Sequence, residues 1–490
     1  MNGRFFKTLT NFLTIFHFAV FFTGCTKVLD VFNEKEDEKE VTFLFLYTND
    51  EHGHFYEKEG FYKAAALYEM WHEEEKNCNG CKVFRLSGGD SYTGFVGSSL
   101  FNGNSMAEIM NVLRYQVSAV GNHEFDFGMK PLKRNLILSK IRYLSSNVIF
   151  SDMRETFAPY AVFESLDGDV AFIGSTTEDL KQVSFANYIL DAKVVKPEGP
   201  VGRNLKKLKK TTDIQVIVTH DSYESSLRWV NSLEEKPLIV FNAHSHEKIV
   251  KNHDGVLFIQ AERNLNYYAR VEVAKKGKTV QIKSADIIPL KRDLSLELEG
   301  SKKIRSLTDK YLGLVDKIAG TVLITADDDF ENSSFQKLYA CATLNEHPGF
   351  DVAMSNPRGY RDIITKGPVK KSDIISILPF NNRIVFSKVS GKDLIYNLEL
   401  SGDSYCGTKK TDEGWMKDGE KIDPEKTYSV VIHEYILGGG DFFNFMEYKS
   451  ESEITSKDWR APIEKYLSES SKRGLNLQQA LDWLKERHDH

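Results

Sequence analysis

Apolar residues in this chain gather in short unbroken runs, and several of those runs stop at side chains able to bind metals. Thr42-Phe-Leu-Phe-Leu-Tyr47 is the first run, and consecutive strand-forming residues predict a strand buried on both faces. Val83 to Leu86, Val117 to Val120, Ile214 to Thr219 and Leu238 to Phe241 repeat the pattern, and 141–147 and 161–173 predict further strands. Between them, Phe61 to Lys76 and Met106 to Arg114 place apolar residues at near-helical spacing. Strands alternating with helices predict a layered α/β fold, in which ligand-binding groups collect at the carboxyl ends of the strands.

The residues at those ends are Asp50 and His52, then Asp90, then Asn122, His123 and Asp126, then His220, then His244 and His246. One such residue after a strand is ordinarily a turn or a helix cap. Five strand ends with the same chemistry point instead to a shared metal site. Carboxylate, amide and imidazole donors suit Zn²⁺ or Mn²⁺. The set exceeds what one ion needs, so two divalent ions are expected. Asp90, preceded by Gly88 and Gly89, is the natural bridging carboxylate, because small neighbours let the backbone approach the ions. Two ions roughly 3.5–4 Å apart lower the pKa of a bridging water and clamp a phosphoryl group for in-line attack. A carboxylate such as Asp126, accepting an imidazole N–H from His123, would fix the tautomer and favour the charged ring. An imidazolium facing phosphate stabilises charge on a phosphoryl or leaving oxygen. The alternative for Asp126 is a helix N-cap before Met129-Lys-Pro131.

Further along, Leu294 to Ile318 is charged and helix-permissive, with a partial apolar stripe. A second α/β unit is expected from about Thr321, with a helix near 335–344 and strands at 351–354, 383–387 and 428–432. Closing helices are expected at 458–467 and 477–487. A chain of 490 residues exceeds one ordinary core. The expected segments are 1–25 as signal, 26–40 as polar tether, 41–293 as catalytic domain, 294–319 as helical linker and 320–490 as substrate-binding domain.

Arg4 and Lys7 precede an apolar stretch, Phe12 to Phe22, that is short for a membrane span. Phe22-Thr-Gly-Cys25 resembles a lipobox with Cys25 as the lipidated residue; an ordinary secretory signal or an uncleaved anchor is the alternative. The expectation is an exported protein, at the cell surface or in the periplasm, held to the membrane through a lipid anchor at Cys25. A net charge of −6 argues against binding a nucleic-acid polymer. Cys78 and Cys81, in Asn-Cys-Asn-Gly-Cys, suit a small structural disulfide in such a compartment. Cys341 and Cys406 are left open as free or paired.

Thr48-Asn-Asp-Glu-His-Gly53, Gly88-Gly-Asp90, Gly121-Asn-His-Glu-Phe-Asp126, Thr219-His220 and His244-Ser-His246 resemble the motifs of calcineurin-like dinuclear metallophosphoesterases, and more narrowly of the bacterial 5′-nucleotidase family. The resemblance spans about residues 41–445 in motif order. It implies an N-terminal four-layer metallophosphoesterase sandwich joined by a helical linker to a smaller C-terminal α/β domain. It also implies one ion on Asp50, His52, Asp90 and His246, a second on Asp90, Asn122, His220 and His244, and His123 with Asp126 as the catalytic pair. Leu378-Pro-Phe380 and His433-Glu-Tyr435 through Gly438-Gly-Gly-Asp441 resemble the family's nucleobase clamp, which would put the base between Phe380 and Tyr435 and the ribose on Asp441. The family's glycine-rich Asn-Gly-Gly-Gly-x-Arg loop reads Asn356-Pro-Arg358-Gly-Tyr-Arg361 here, and Asp328 stands where the family often carries an arginine. Asn356 and Arg361 therefore remain as phosphate-side residues, with Arg358 as the candidate replacement cation. The implied activity is 5′-nucleotidase, releasing phosphate from extracellular nucleotides through a metal-bridging hydroxide. The alternatives are a UDP-sugar hydrolase, a 2′,3′-cyclic-nucleotide phosphodiesterase or another phosphoesterase of the family. From a different class, the alternative is a surface lipoprotein that chiefly binds a partner.

Overall fold

A computed structural model describes residues 39–58, 60–152, 157–185 and 188–488. The signal, the lipidation site expected at Cys25 and nearly all of the tether lie outside the described residues. Glu40–His490 forms one compact unit. Its first strand, Val41–Thr48, shows how the sandwich is built. Side chains alternate across a strand, so Phe43, Phe45 and Tyr47 enter one apolar cluster while Leu44 and Leu46 enter another. All five are fully buried, which is why the run is apolar without a break.

Two six-stranded sheets face each other across the cluster that holds Phe43 and Phe45. In the first sheet Val41–Thr48, Lys82–Ser87 and Val117–Ala119 run parallel; in the second Val170–Thr176, Ile214–His220 and Ile239–Phe241 do. Helices Lys63–Asn77 and Asn104–Leu113 cover the outside of the first through Leu67, Trp71, Met106 and Met110. Glu198–Leu208 and Tyr223–Ser232 cover the second through Val201, Leu205, Trp229 and Val230. Helix, sheet, sheet and helix make four layers.

Helix Glu299–Ala319 packs against Lys63–Asn77 and Asn104–Leu113 and leads into a five-stranded sheet of different order. That sheet runs Tyr405–Cys406, Val352–Met354, Thr427–His433, Arg383–Ser390, Glu453–Asp458. One of its faces carries helices Asn332–Glu346, Ala461–Lys472 and Leu477–His488.

Two expectations differ from the structure. Segment 161–173 is not one strand but an antiparallel pair, Tyr160–Phe163 and Val170–Thr176, because Gly168 at φ 142° reverses the chain between them. Residue 458 ends a strand, Glu453–Asp458, rather than opening a helix. The helix starts at Ala461, with Pro462 in its first turn, where a missing N–H costs nothing.

Cys78 is bonded to Cys81, and Cys341 to Cys406. The second pair ties helix Asn332–Glu346 to an edge strand across 65 residues, inside one buried cluster. Closing a loop of that length stabilises by about 4 kcal/mol through the unfolded chain. Replacing both cysteines by alanine is therefore expected to lower the urea midpoint under non-reducing conditions, and added reductant should bring the wild type down toward the variant.

Candidate metal centre

Parallel strands share a direction, so their carboxyl ends meet at one edge of the sandwich. There the chain does something costly. Asp50, His52, Asp90, His244 and His246 all have positive φ, between 47° and 71°. A non-glycine residue in that region costs about 1 kcal/mol or more, so five together approach the net stability of a small domain, about 5–15 kcal/mol. They persist because neighbouring groups fix them. Asp50 donates its N–H to the Gly89 carbonyl at 3.0 Å and His52 to that of Asp90 at 2.9 Å. The Asp50 carboxylate accepts the N–H of His244 at 3.0 Å. Gly89 and Gly121 let these loops touch: a Cβ on Gly89 would lie 2.6 Å from the Gly121 nitrogen, and one on Gly121 only 2.2 Å from Asp90 Oδ1.

Two buried carboxylates hold the loops and were not singled out from the sequence. Glu124 accepts backbone N–H groups from Asp90 (2.8 Å), Ser91 (2.8 Å) and Gly121 (2.7 Å). Glu51 accepts the hydroxyls of Thr48, Ser87 and Ser91. Burial raises Glu51 to about 7 and Glu124 to about 8. Glu51 stands one residue from Asp50 and from His52, and Glu124 two from Asn122, and nothing in the motifs marks which carboxylate coordinates and which only supports.

The donors fall into two groups, Asp50 with His52 and His246, and Asp90 with His220 and His244, the ligand atoms of each within 4.8 Å of one another. Backbone carbonyls set the tautomers. His52 Nδ1 donates to Thr93 O at 2.8 Å and His220 Nδ1 to Gly88 O at 2.8 Å, so each Nε2 turns a lone pair inward. Asn122 donates its amide N–H to Val183 O at 2.9 Å, which aims Oδ1 at the same space, 3.1 Å from His220 Nε2. His52 Nε2 lies 3.1 Å from His246 Nε2, and His220 Nε2 3.3 Å from His244 Nδ1. With their lone pairs turned to one another, these nitrogens, the Asn122 oxygen and the two carboxylates frame a buried space that fits divalent ions.

The titration of these groups agrees. Burial pushes His52 well below its ordinary value and His244 down to about 3. Burial opposes charge on His220 as well, but Asp90, 3.1 Å away, outweighs it and raises the imidazole to about 10. Burial would likewise raise Asp90, yet His220 and His123 hold it well below the carboxylate range. A shared proton stands where a metal cation fits.

Beside the donors opens a cavity of about 620 Å³ lined by Asp90, Asn122, His123, His244 and His246 together with Asn356, Arg358, Arg361, Phe380, Tyr435 and Asp441. His123 Nδ1 donates to Asp126 Oδ2 at 2.7 Å, and its backbone N–H donates to Asp90 Oδ1 at 2.8 Å. Burial opposes protonation of His123, but Asp126 and Asp90 prevail and its pKa is raised. The helix after this loop is Met129–Ser139, capped at Gly128 without a side-chain bond, so Asp126 serves the imidazole rather than the helix. Arg361 donates to His123 Nε2, and Phe380 stacks on the same imidazole at 5.5 Å and 28°. Tyr435 bonds Asp441 Oδ1 through its hydroxyl at 3.0 Å, and Asn356 donates to Asp441 Oδ2 at 2.7 Å. Phe380 and Tyr435 thus reach the same cavity, each packed against protein groups. Asp328 is outside it, its carboxylate 3.7 Å from Lys366.

His433 lies under Tyr435, their rings 6.4 Å apart and 11° from parallel. Burial pushes His433 down to about 3. An unfolded histidine titrates near 6.5, so the fold excludes a proton that the unfolded chain takes up. The stability this group leaves intact above pH 6.5 is lost as pH falls, at about 1.4 kcal/mol per pH unit until the folded value is reached. Urea midpoints measured from pH 7 to pH 4 are expected to fall less steeply in His433→Gln.

Residues 315–414 match the family model described as 5′-nucleotidase, C-terminal domain. Protein UshA of Escherichia coli (strain K12) is 24% identical over 487 residues, covering 84% of this chain and 88% of that protein. A 5′-nucleotidase of Vibrio parahaemolyticus is 26% identical over 449 residues, covering 79% of each. Among solved structures, the 5′-nucleotidase precursor from Thermus thermophilus superposes with a TM-score of 0.74 at 23% identity, over 87% of this chain and 96% of that one. The four-layer sandwich with Asp, His and Asn donors at its strand ends is of the metallophosphoesterase class. Within that class the chain is similar over most of its length to UshA and to 5′-nucleotidases, and residues 315–414 match the 5′-nucleotidase C-terminal domain.

Proposed function

We propose that this chain is an exported, metal-dependent phosphohydrolase that acts as a 5′-nucleotidase on nucleotides outside the cell. One observation carries the reading. A single cavity is lined both by the metal donors and by Arg361, Phe380, Tyr435 and Asp441, a set suited to a phosphate, a base and a ribose. Residues 41–293 would be the catalytic domain and 320–490 the substrate-binding domain, joined by the helix between. Asp50, His52, Asp90 and His246 would hold one Zn²⁺ or Mn²⁺, and Asp90, Asn122, His220 and His244 the other. When bound, two such ions supply a nucleophile at neutral pH and clamp the phosphoryl oxygens.

The chain's own residues do the rest. Asp126 keeps the Nδ1 proton of His123, so Nε2, once Arg361 turns from it to phosphate, can carry a proton toward the departing ribose oxygen. Arg361, a planar fork beside it, takes phosphoryl oxygens. Phe380 and Tyr435 offer π-faces that tolerate any base, and Asp441 offers acceptors to ribose hydroxyls. Stacking between them requires Phe380 to leave the face of His123. The basic and apolar N-terminus and two disulfides support export, and anchoring at Cys25 belongs to the same reading.

The test is phosphate release by the chain from residue 26 onward, with Mn²⁺ or Zn²⁺, from AMP, ATP, UDP-glucose, a 2′,3′-cyclic nucleotide and p-nitrophenyl phosphate. Nucleotide turnover is expected. Turnover of the nitrophenyl ester alone would remove the nucleotide assignment. No turnover with two ions bound would favour a surface protein that only binds.

A further inference from the structure

We propose that Arg263 positions the substrate's phosphate from the metal-bearing side of the cavity, an assignment that rests on the phosphohydrolase reading above. Arg361 approaches the centre beside His123; Arg263 approaches it beside His246, with Nη1 3.3 Å from His246 Nδ1. Both arginines line the same cavity. Arg263 is exposed, and among the described residues no carboxylate forms an ion pair with it. A guanidinium beside a phosphohydrolase metal centre with no anion of its own has an obvious partner in phosphate, which it can meet with two parallel N–H bonds.

The backbone around it argues that this placement is built. Glu262, Asn264 and Leu265 have φ of 65°, 59° and 51°, three left-handed residues of four with no glycine among them. Leu265 is buried and has no polar side chain to ease that conformation. The turn is held by the loop that carries the metal donors. Asn49 donates its amide to the Glu262 carbonyl, and its Oδ1 accepts the N–H of Ala261 at 2.8 Å. Asn264 donates its N–H to the carbonyl of Asp50 at 2.8 Å, and Lys63 donates to the carbonyl of Asn264 at 3.1 Å. Glu262 donates its N–H to the carbonyl of Glu247, next to His246, at 3.0 Å. Strain sustained by such contacts is found where a side chain must be aimed. Arg263 is the side chain so aimed.

Asp328, where the resemblance implies an arginine, is outside the cavity, 3.7 Å from Lys366. Arg263 adds a cation to Arg358 and Arg361, which line the same cavity.

The experiment is calorimetric titration of the metal-loaded full chain with inorganic phosphate, for wild type, Arg263→Ala and Arg263→Lys, with bound metal counted in each. Arg263→Ala is expected to weaken phosphate binding by about tenfold or more, the worth of a charged hydrogen bond, with both ions retained. Lysine should restore part of the affinity, and KM for AMP and for p-nitrophenyl phosphate should rise by the same factor. Unchanged phosphate affinity would overturn the assignment. So would loss of a metal ion, which would make Arg263 a support for His246. Failure of the wild type to turn over nucleotides would strike the functional reading alone, because phosphate binding is measured without turnover.

Discussion

Asp90→Asn is expected to release bound metal and lower kcat/KM for AMP by at least about 10³-fold, since the ions contribute several kcal/mol of transition-state stabilisation. The substitution keeps the shape and an oxygen able to accept the N–H of His123, now 2.8 Å from Asp90 Oδ1. It removes the negative charge that faces His220 at 3.1 Å. Asp90 is assigned to both ions, so its loss should empty the centre rather than half of it. Metal content by mass spectrometry separates the cases. Two ions per chain with a rate within tenfold of wild type would remove Asp90 from the bridging position.

His123→Ala is expected to lower kcat by about 10²- to 10⁴-fold, the range for a positioned acid or base, while both ions stay bound. The dependence on leaving group is the sharper readout. A ribose oxygen leaves poorly without a proton, whereas p-nitrophenolate leaves readily. If His123 protonates the departing oxygen, the variant should lose much more activity on AMP than on p-nitrophenyl phosphate. Equal losses on both would place its charge on the phosphoryl oxygens instead. Asp126→Asn should cost less, about 10- to 100-fold, as expected of a group acting through the imidazole. Adding it to His123→Ala should cost little more, because the two act as one unit.

The centre was legible because parallel strands end together. Thr42 to Tyr47, Val83 to Leu86 and Ile214 to Thr219 each announce a strand, and a donor follows within four residues. Strand direction then converts separation in sequence into proximity. Glu51 and Glu124 were hidden by the same motifs that reveal the site, since a carboxylate that accepts O–H or N–H groups looks in sequence like one that binds metal. Arg263 gave no signal at all: its left-handed turn has no glycine to mark it, and what holds it is Asn49 and Asp50, more than two hundred residues upstream. The packing of Phe380 on His123 joins a 3₁₀ turn and a loop far apart in sequence and follows from tertiary structure alone.

The central claim is that the buried acceptors form a two-ion centre. The most direct measurement strips the chain from residue 26 onward with chelator and titrates Mn²⁺ back while following both heat and AMP hydrolysis. Two ions bound per chain, with activity returning only as the second site fills, is the expected result. Activity in the stripped protein, or saturation at a single ion, would contradict it.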